Sequence, residues 1–256
     1  MYGGGGVIAK NITIRDNYIA HTFGELESVD TWYTWQKNTM DVGIYTDDRS
    51  QNILVEGNTI INTNTGVFMH NNQSVTLKNN IIFQPRETGV DIRNDWIIND
   101  WAFMKDNHLE GNIVYVDAED AHPLQIFDEK DNWKRFATYD NNTLVNTAGQ
   151  KEVILKKWVD NDYSTYKGKD QAFTIEEWRA IQASSGSSER SRGTPSFLKP
   201  PNDFQALIIS NPSDTLLKKD LRGKKGYTYY DLEGEVTEAL SIEPWQSKIV
   251  FFTIKD

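Results

Sequence analysis

An all-β fold, a parallel β-solenoid of about five coils followed by a small antiparallel β domain, is predicted by three observations. A short β-rich run containing an Asn recurs through the first half of the chain. A second run, opening on Gly, follows it and aligns from coil to coil without gaps. The last quarter abandons both patterns and reads as strands joined by turns.

The first repeat comprises "NITIRDNYI" (11–19), "NILVEGNTI" (52–60), "SVTLKNNII" (74–82), "HLEGNIV" (108–114) and "FATYDNNTLVN" (136–146). Its asparagines are Asn17, Asn58, Asn80, Asn112 and Asn142. The step of 22 from Asn58 to Asn80 is about one coil of a parallel β-helix, and the wider steps are coils carrying insertions. Alternation in Ile12/Ile14, Ile53/Val55 and Val75/Leu77 sends aliphatic side chains to one face, the solenoid core. Asparagines at one place in successive coils can stack as a hydrogen-bonded ladder, and Asn tolerates the left-handed backbone expected at such a turn. The five are therefore assigned a structural role.

The second repeat is "GIYTD" (43–47), "GVFMH" (66–70) and "GVDIR" (89–93), each opening on a Gly suited to a bend. Ile44/Thr46, Val67/Met69 and Val90/Ile92 form inward columns, because strand side chains alternate between faces. Two outward columns remain, Tyr45/Phe68/Asp91 and Asp47/His70/Arg93. Neighbouring coils lie about 4.8 Å apart, so His70 falls within reach of both Asp47 and Arg93. "PLQIF" (123–127) continues the register and brings Gln125 and Phe127 nearby.

Composition narrows the partners. With 27 Lys and Arg against 37 Asp and Glu in 256 residues, the formal charge of -10 argues against binding to nucleic acid. No apolar run approaches the roughly 20 residues that cross a bilayer, so no membrane partner is expected, and "MYGGGGVIAK" lacks the apolar centre of a signal peptide. Any export signal is expected outside this chain. The absence of cysteine excludes disulfides, thiolate metal sites and a cysteine nucleophile, and fits many bacterial proteins. Eight Trp, eleven Tyr and eleven Phe in a hydrophilic chain exceed what a core ordinarily needs, and such rings suit the flat faces of sugars. The segment 21–40, with Trp32, Tyr33 and Trp35, and the segment 94–108, with Trp96 and Trp101, are insertions placed to overhang the outward columns. Each admits two readings: a sugar platform, or a loop packing its own aromatics.

The coils, with "NNII" turns and "DVGIYTDD" (41–48), resemble the right-handed parallel β-helix superfamily of pectin-lyase-like proteins over residues 1 to about 150. Many members are carbohydrate-active enzymes: polysaccharide lyases, polygalacturonase-like hydrolases and other glycoside hydrolases. Members usually begin with a capping helix, whereas this chain opens on Gly3–Gly6 inside a coil, so the resemblance implies a C-terminal portion. The order of a Trp-bearing helix, a Ser-rich link and "PSFLKPPNDFQAL" (195–207) resembles the C-terminal region of secreted β-helix glycosidase-like proteins. An extracellular or periplasmic location follows from the same resemblance.

The expected organisation is a β-helix over 1–150, an irregular and helical connector over 151–195, and a small antiparallel, sandwich-like β domain over 196–256. In the connector, Thr174 caps a short helix with Glu176 and Glu177 in its first turn, and "SSGSSERSRGTP" (184–195) is a polar hinge.

Three functions remain, in order of preference. Glycoside hydrolysis needs two carboxyl groups, about 5–5.5 Å apart for retention and about 6.5–9.5 Å for inversion. Asp47 and Asp91 are the candidates, with α-carbons roughly 12 Å apart by strand and coil spacing. His70 joins them as a group that orients a carboxylate or transfers a proton. Tyr45, Phe68, Arg93, Asp41, Asp48, Trp32, Trp35 and Trp96 are the candidate substrate-binding residues, with an oligo- or polysaccharide as partner. No metal or cofactor is required by this reading. A polysaccharide lyase would instead use Arg93 or Ca²⁺ to neutralise a uronate, His70 or Tyr45 as base, and Asp47 with Asp48 to hold the ion. Adjacent acids in a strand point to opposite faces, which weakens "TDD" as a calcium site. The third reading is a non-catalytic glycan-binding solenoid whose Asp47/His70/Arg93 column is a surface salt-bridge ladder of little energetic weight. His21 begins the first insertion; His108 and His122 show no metal-ligand spacing.

Overall fold

The computed structural model describes residues 8–22, 41–94, 104–128, 132–149, 151–158, 168–184, 189–199 and 203–254. Five coils of three strands each wind through its larger part. The first coil is β1 (Lys10–Arg15), β2 (Tyr18–Ala20) and β3 (Val42–Thr46); the second is β4 (Gln51–Glu56), β5 (Thr59–Ile61) and β6 (Thr65–His70). The third is β7 (Gln73–Lys78), β8 (Ile81–Phe83) and β9 (Thr88–Asn94), and the fourth β10 (Asn107–Glu110), β11 (Ile113–Val116) and β12 (His122–Asp128). The fifth is β13 (Ala137–Asp140), β14 (Thr143–Asn146) and β15 (Val153–Trp158). Each strand pairs in parallel with its counterpart one coil on, which makes three parallel sheets, the faces of a parallel β-helix.

The core follows the alternation in the sequence. Ile53, Val55, Val75 and Leu77 from the first sheet, Ile60, Ile82 and Val114 from the second, and Val67, Met69, Val90 and Ile92 from the third are all buried in one cluster. Burying each such side chain contributes about 1.5–3 kcal/mol. The predicted inward columns of the third sheet hold in register: Ile44 opposite Val67 and Thr46 opposite Met69, then Val67 opposite Val90 and Met69 opposite Ile92.

The asparagine ladder forms, with one correction. Asn17, Asn58, Asn80 and Asn112 each donate from Nδ2 to Oδ1 of the next, at 2.8, 2.9, 2.9 and 2.9 Å, and Asn142 donates to Ser191 Oγ at 3.2 Å. The left-handed backbone lies one residue earlier, at Asp16, Gly57, Asn79, Gly111 and Asn141. The bend is made there, so the following Asn can aim its amide along the solenoid. The column Gly43, Gly66 and Gly89 also works differently from the expectation: none has positive φ. A Cβ at Gly43 would come within 2.6 Å of Gly66 O and of the Ile60 side chain, so close approach across the corner excludes any side chain.

The open end of the last coil is closed twice over. β16 (Gly168–Phe173) pairs antiparallel with β15, and α1 (Ile175–Ser184) follows. The helix starts with reciprocal caps, Glu177 N–H to Thr174 Oγ1 at 3.2 Å and Thr174 N–H to Glu177 Oε2 at 2.8 Å. Its Trp178 is wholly buried and meets the rings of Trp133 and Tyr139. The segment expected as a polar hinge is, over its described part, a strap along the coil edge. Arg192 N–H donates to Asn142 O, Leu144 N–H donates to Arg192 O, and Thr194 Oγ1 accepts from Asn146 N–H. An uncovered edge leaves backbone groups unpaired, and the strap supplies the partners.

The C-terminal strands are β17 (Gln205–Ser210), β18 (Leu217–Asp220), β19 (Tyr227–Tyr230), β20 (Ala239–Ile242) and β21 (Ser247–Ile254), all antiparallel, in sheets β17-β21-β19 and β18-β20. They dock on the outer face of the second solenoid sheet. Ile61, Phe83, Tyr115 and Val145 cluster there with Leu198, Ile249 and Phe251, and Thr59 Oγ1 meets Ser247 Oγ at 2.8 Å.

Candidate active site

The outer face of the third sheet carries the polar column, in the predicted register. Tyr45 lies opposite Phe68, Phe68 opposite Asp91, His70 opposite Arg93, and Gln125 and Phe127 follow opposite Asp91 and Arg93. The rings stack as the coil spacing dictates, with Tyr45 and Phe68 at 4.8 Å and Phe68 and His70 at 5.6 Å between centroids. The face is not an open groove along its length: Phe68, Asp91, Gln125 and Phe127 are all buried. Access is at the end formed by the turn after β3, where the Asp48 side chain is 38% exposed and that of His70 16%.

That turn brings together what strand geometry would separate. β3 stops at Thr46, and Asp47–Ser50 form a tight turn in which Ser50 N–H donates to Asp47 O at 3.0 Å and Arg49 takes a left-handed conformation. The alternation rule therefore lapses at Asp47, and both carboxylates reach one imidazole. His70 Nδ1 lies 2.8 Å from Asp47 Oδ1 and 3.3 Å from Asp48 Oδ1. Tyr45 donates its hydroxyl to Asp47 Oδ1 at 2.7 Å, and Asn71 Nδ2 donates to Asp48 Oδ1 at 2.9 Å. Asp47 is 8% exposed. Burial pushes its carboxyl up, but the hydrogen bonds from His70, Tyr45 and the Asp48 backbone outweigh that, and it ends below the ordinary carboxylate value.

The other candidates divide. Asp91 joins Arg93 rather than the Asp47 end: Arg93 Nη2 donates to Asp91 Oδ2 at 2.8 Å, and the guanidinium sits over the rings of Phe68 and Phe127 at 5.1 and 5.3 Å. His70 thus bridges to Asp47 and Asp48, while Arg93 turns back along its own strand. Asp41 lies at the far end of β3, six residues before Asp47 or roughly 20 Å of strand, and accepts from Asn64 Nδ2. Trp32, Tyr33, Trp35, Trp96 and Trp101 lie outside the described residues. His21 faces Asn62 and His108 faces Thr138, both away from this sheet. At His122, burial and then the charge of Lys156 hold the imidazole below its ordinary value. Sequence reasoning missed Asn71, whose one signal is its place beside His70 in "HNN".

Asp47, Asp48 and His70 present ligand atoms within 4.8 Å of one another, so a cation is a fair question. Ca²⁺ asks for six to eight oxygens at about 2.3–2.6 Å. Here the cluster offers two carboxylates and one imidazole nitrogen, short of that oxygen set, and both nearer carboxylate oxygens already accept hydrogen bonds. The described residues do not fit calcium.

The family model "Right handed beta helix region" matches residues 1–118, which include all four residues of this centre, Tyr45, Asp47, Asp48 and His70. No curated protein and no solved structure matches the chain.

Proposed function

We propose that the chain is a glycoside hydrolase acting on uncharged glycans, with Asp47 and Asp48 as its working carboxylates. One observation carries this reading: two carboxylates converge on one imidazole at the accessible end of the third sheet, with ligand atoms within 4.8 Å of one another. Oxygens no farther apart than this fall short of the inverting range of about 6.5–9.5 Å, which favours a retaining mechanism. Asp47, buried and held ionised, is the nucleophile toward the anomeric carbon. Asp48, the more exposed, protonates the departing oxygen and then takes the proton of the water that releases the sugar. Asp91 drops out of the pair because Arg93 engages it.

The same ion pair favours hydrolysis over β-elimination. A lyase needs a cation on the substrate's carboxylate, and Arg93 is tied to Asp91 between two rings. Ionised Asp47 at the accessible end disfavours a uronate there. Right-handed β-helix regions occur in polysaccharide-active enzymes, which supports the class. Polymeric glycans are met outside the cytoplasm, so the proposal includes an extracellular or periplasmic site of action.

The test is incubation with a panel of neutral and uronic polysaccharides, following reducing ends and the ultraviolet absorbance of unsaturated products together. Reducing ends from a neutral glycan without absorbance, with retained anomeric configuration by NMR, are expected. Absorbance rising with reducing ends from a uronic glycan would establish a lyase instead. Binding without any product would leave a glycan-binding solenoid.

A further inference from the structure

We infer that Asn71 is a positioning residue that fixes the tautomer of His70 and, through it, the hydrogen bond given to Asp47. Asn71 is 3% exposed and sits in a left-handed conformation at φ 43°. Its backbone is held from both sides: Asn71 N–H donates to Arg93 O at 3.0 Å, and Asn71 O accepts from Arg49 N–H at 3.1 Å. Its side chain therefore starts from a fixed point between neighbouring coils.

The chemistry of these partners then assigns the imidazole proton. The amide of Asn71 turns its NH₂ toward Asp48 Oδ1, 2.9 Å away, an oxygen that accepts whether the carboxyl is ionised or carries its proton on Oδ2. The same NH₂ lies 3.2 Å from His70 Nε2, which must meet it with a lone pair. The imidazole proton is then on Nδ1, which faces Asp47 Oδ1 at 2.8 Å and Asp48 Oδ1 at 3.3 Å. The alternative tautomer would set N–H against NH₂ on one side and a lone pair against carboxylates on the other. An imidazolium would keep the first of these clashes. The Asp48 carboxylate thus orients the Asn71 amide, the amide orders the imidazole, and the imidazole gives Asp47 a permanent donor. His70 is on this account a fixed donor rather than a proton carrier.

The inference rests on the hydrolase reading only for its kinetic arm; the tautomer is measurable without substrate. The full chain, labelled with ¹⁵N-histidine, has four imidazoles, and His70→Gln assigns the one at issue. Long-range ¹H–¹⁵N spectra near neutral pH are expected to give His70 as the neutral Nδ1–H form. Asn71→Asp is nearly isosteric and tolerates the left-handed backbone, but presents an acceptor to Nε2. In that variant Nε2 is expected to gain a proton while Nδ1 keeps its own, which gives the imidazolium, and kcat to fall about 10- to 100-fold, the range for groups that orient a reacting residue from behind, with little change in KM. Wild-type His70 found as Nε2–H or as imidazolium would overturn the inference, as would an unchanged Nδ1–H form in Asn71→Asp. Loss of the Nδ1 proton on adding Zn²⁺ would overturn it too, by making Asp47, Asp48 and His70 metal ligands. The wild-type spectrum decides even if the variant fails to fold. A predicted tautomer without glycan turnover would sink the hydrolase reading alone; turnover with the opposite tautomer would sink this one alone.

Discussion

The second and third sheets of the solenoid share a backbone and a coil spacing but meet opposite fates on their outer faces. On the second, the outward column Ala20, Ile61, Phe83, Tyr115 and Val145 is apolar and accepts the C-terminal β domain. Burial there pushes the Tyr115 hydroxyl up to about 12. On the third, the outward positions hold Tyr45, Asp47, His70, Asp91 and Arg93, which are buried or half-buried with an ion pair at Asp91 and Arg93 and with hydrogen bonds from Tyr45 and His70 to Asp47. One face spends its side chains on area and the other on polar geometry. A parallel β-helix is thus a neutral ruler: it sets which residues are neighbours, and residue type decides whether the neighbours make an interface or a site.

Substitutions on the two faces should therefore separate stability from turnover. The largest expected effect is Asp47→Asn, which removes the ionised carboxylate while keeping its shape. Turnover is expected to fall about 10²- to 10⁴-fold with thermal unfolding little changed, and full activity would remove Asp47 from the mechanism. Phe83→Ala is the converse. It empties part of the docked interface, stacked against Tyr115 at 5.1 Å, and should cost about 3–5 kcal/mol by denaturant titration. Turnover at low temperature should survive, because the site lies on another face; loss of both together would show that the faces are coupled.

Tyr45→Phe should have the smallest effect, and a distinctive one. Asp47 binds a proton less readily folded than unfolded, so its stabilising contribution is complete above the ordinary value of 3.8 and is lost as pH falls through the lower folded value. Removing the Tyr45 hydroxyl takes away one of the bonds that lower it. The acid limb of the turnover profile is then expected to move to higher pH, with kcat at the optimum changed by less than about tenfold. An unmoved acid limb would mean that Tyr45 does not act on Asp47.

Much of this was legible in the residues. The Asn repeat and the run "GVFMH" between "GIYTD" and "GVDIR" specify coils, inward columns and register, because period-two alternation leaves one face for the core. The partner of His70 was readable from that register in Asp47, but Asp48 was not. Its membership depends on β3 ending at Thr46, and a strand's last residue is set by the turn that follows. Asn71 stayed hidden for a related reason: an Asn after a His has no period to betray it, and its role comes from a left-handed backbone that aims its amide back at two neighbours. The apolar column Ile61/Phe83/Tyr115/Val145 was present in the sequence as plainly as the polar one, and it marks where a second layer docks.

Local pattern, then, was enough for the solenoid, its ladder and the pairing of Asp47 with His70, since each follows from a fixed repeat and a 4.8 Å step between coils. Which carboxylate completes the centre, which cation is already engaged and which face remains accessible came from turns and packing. These depend on where strands stop and what covers them, and no repeat encodes either.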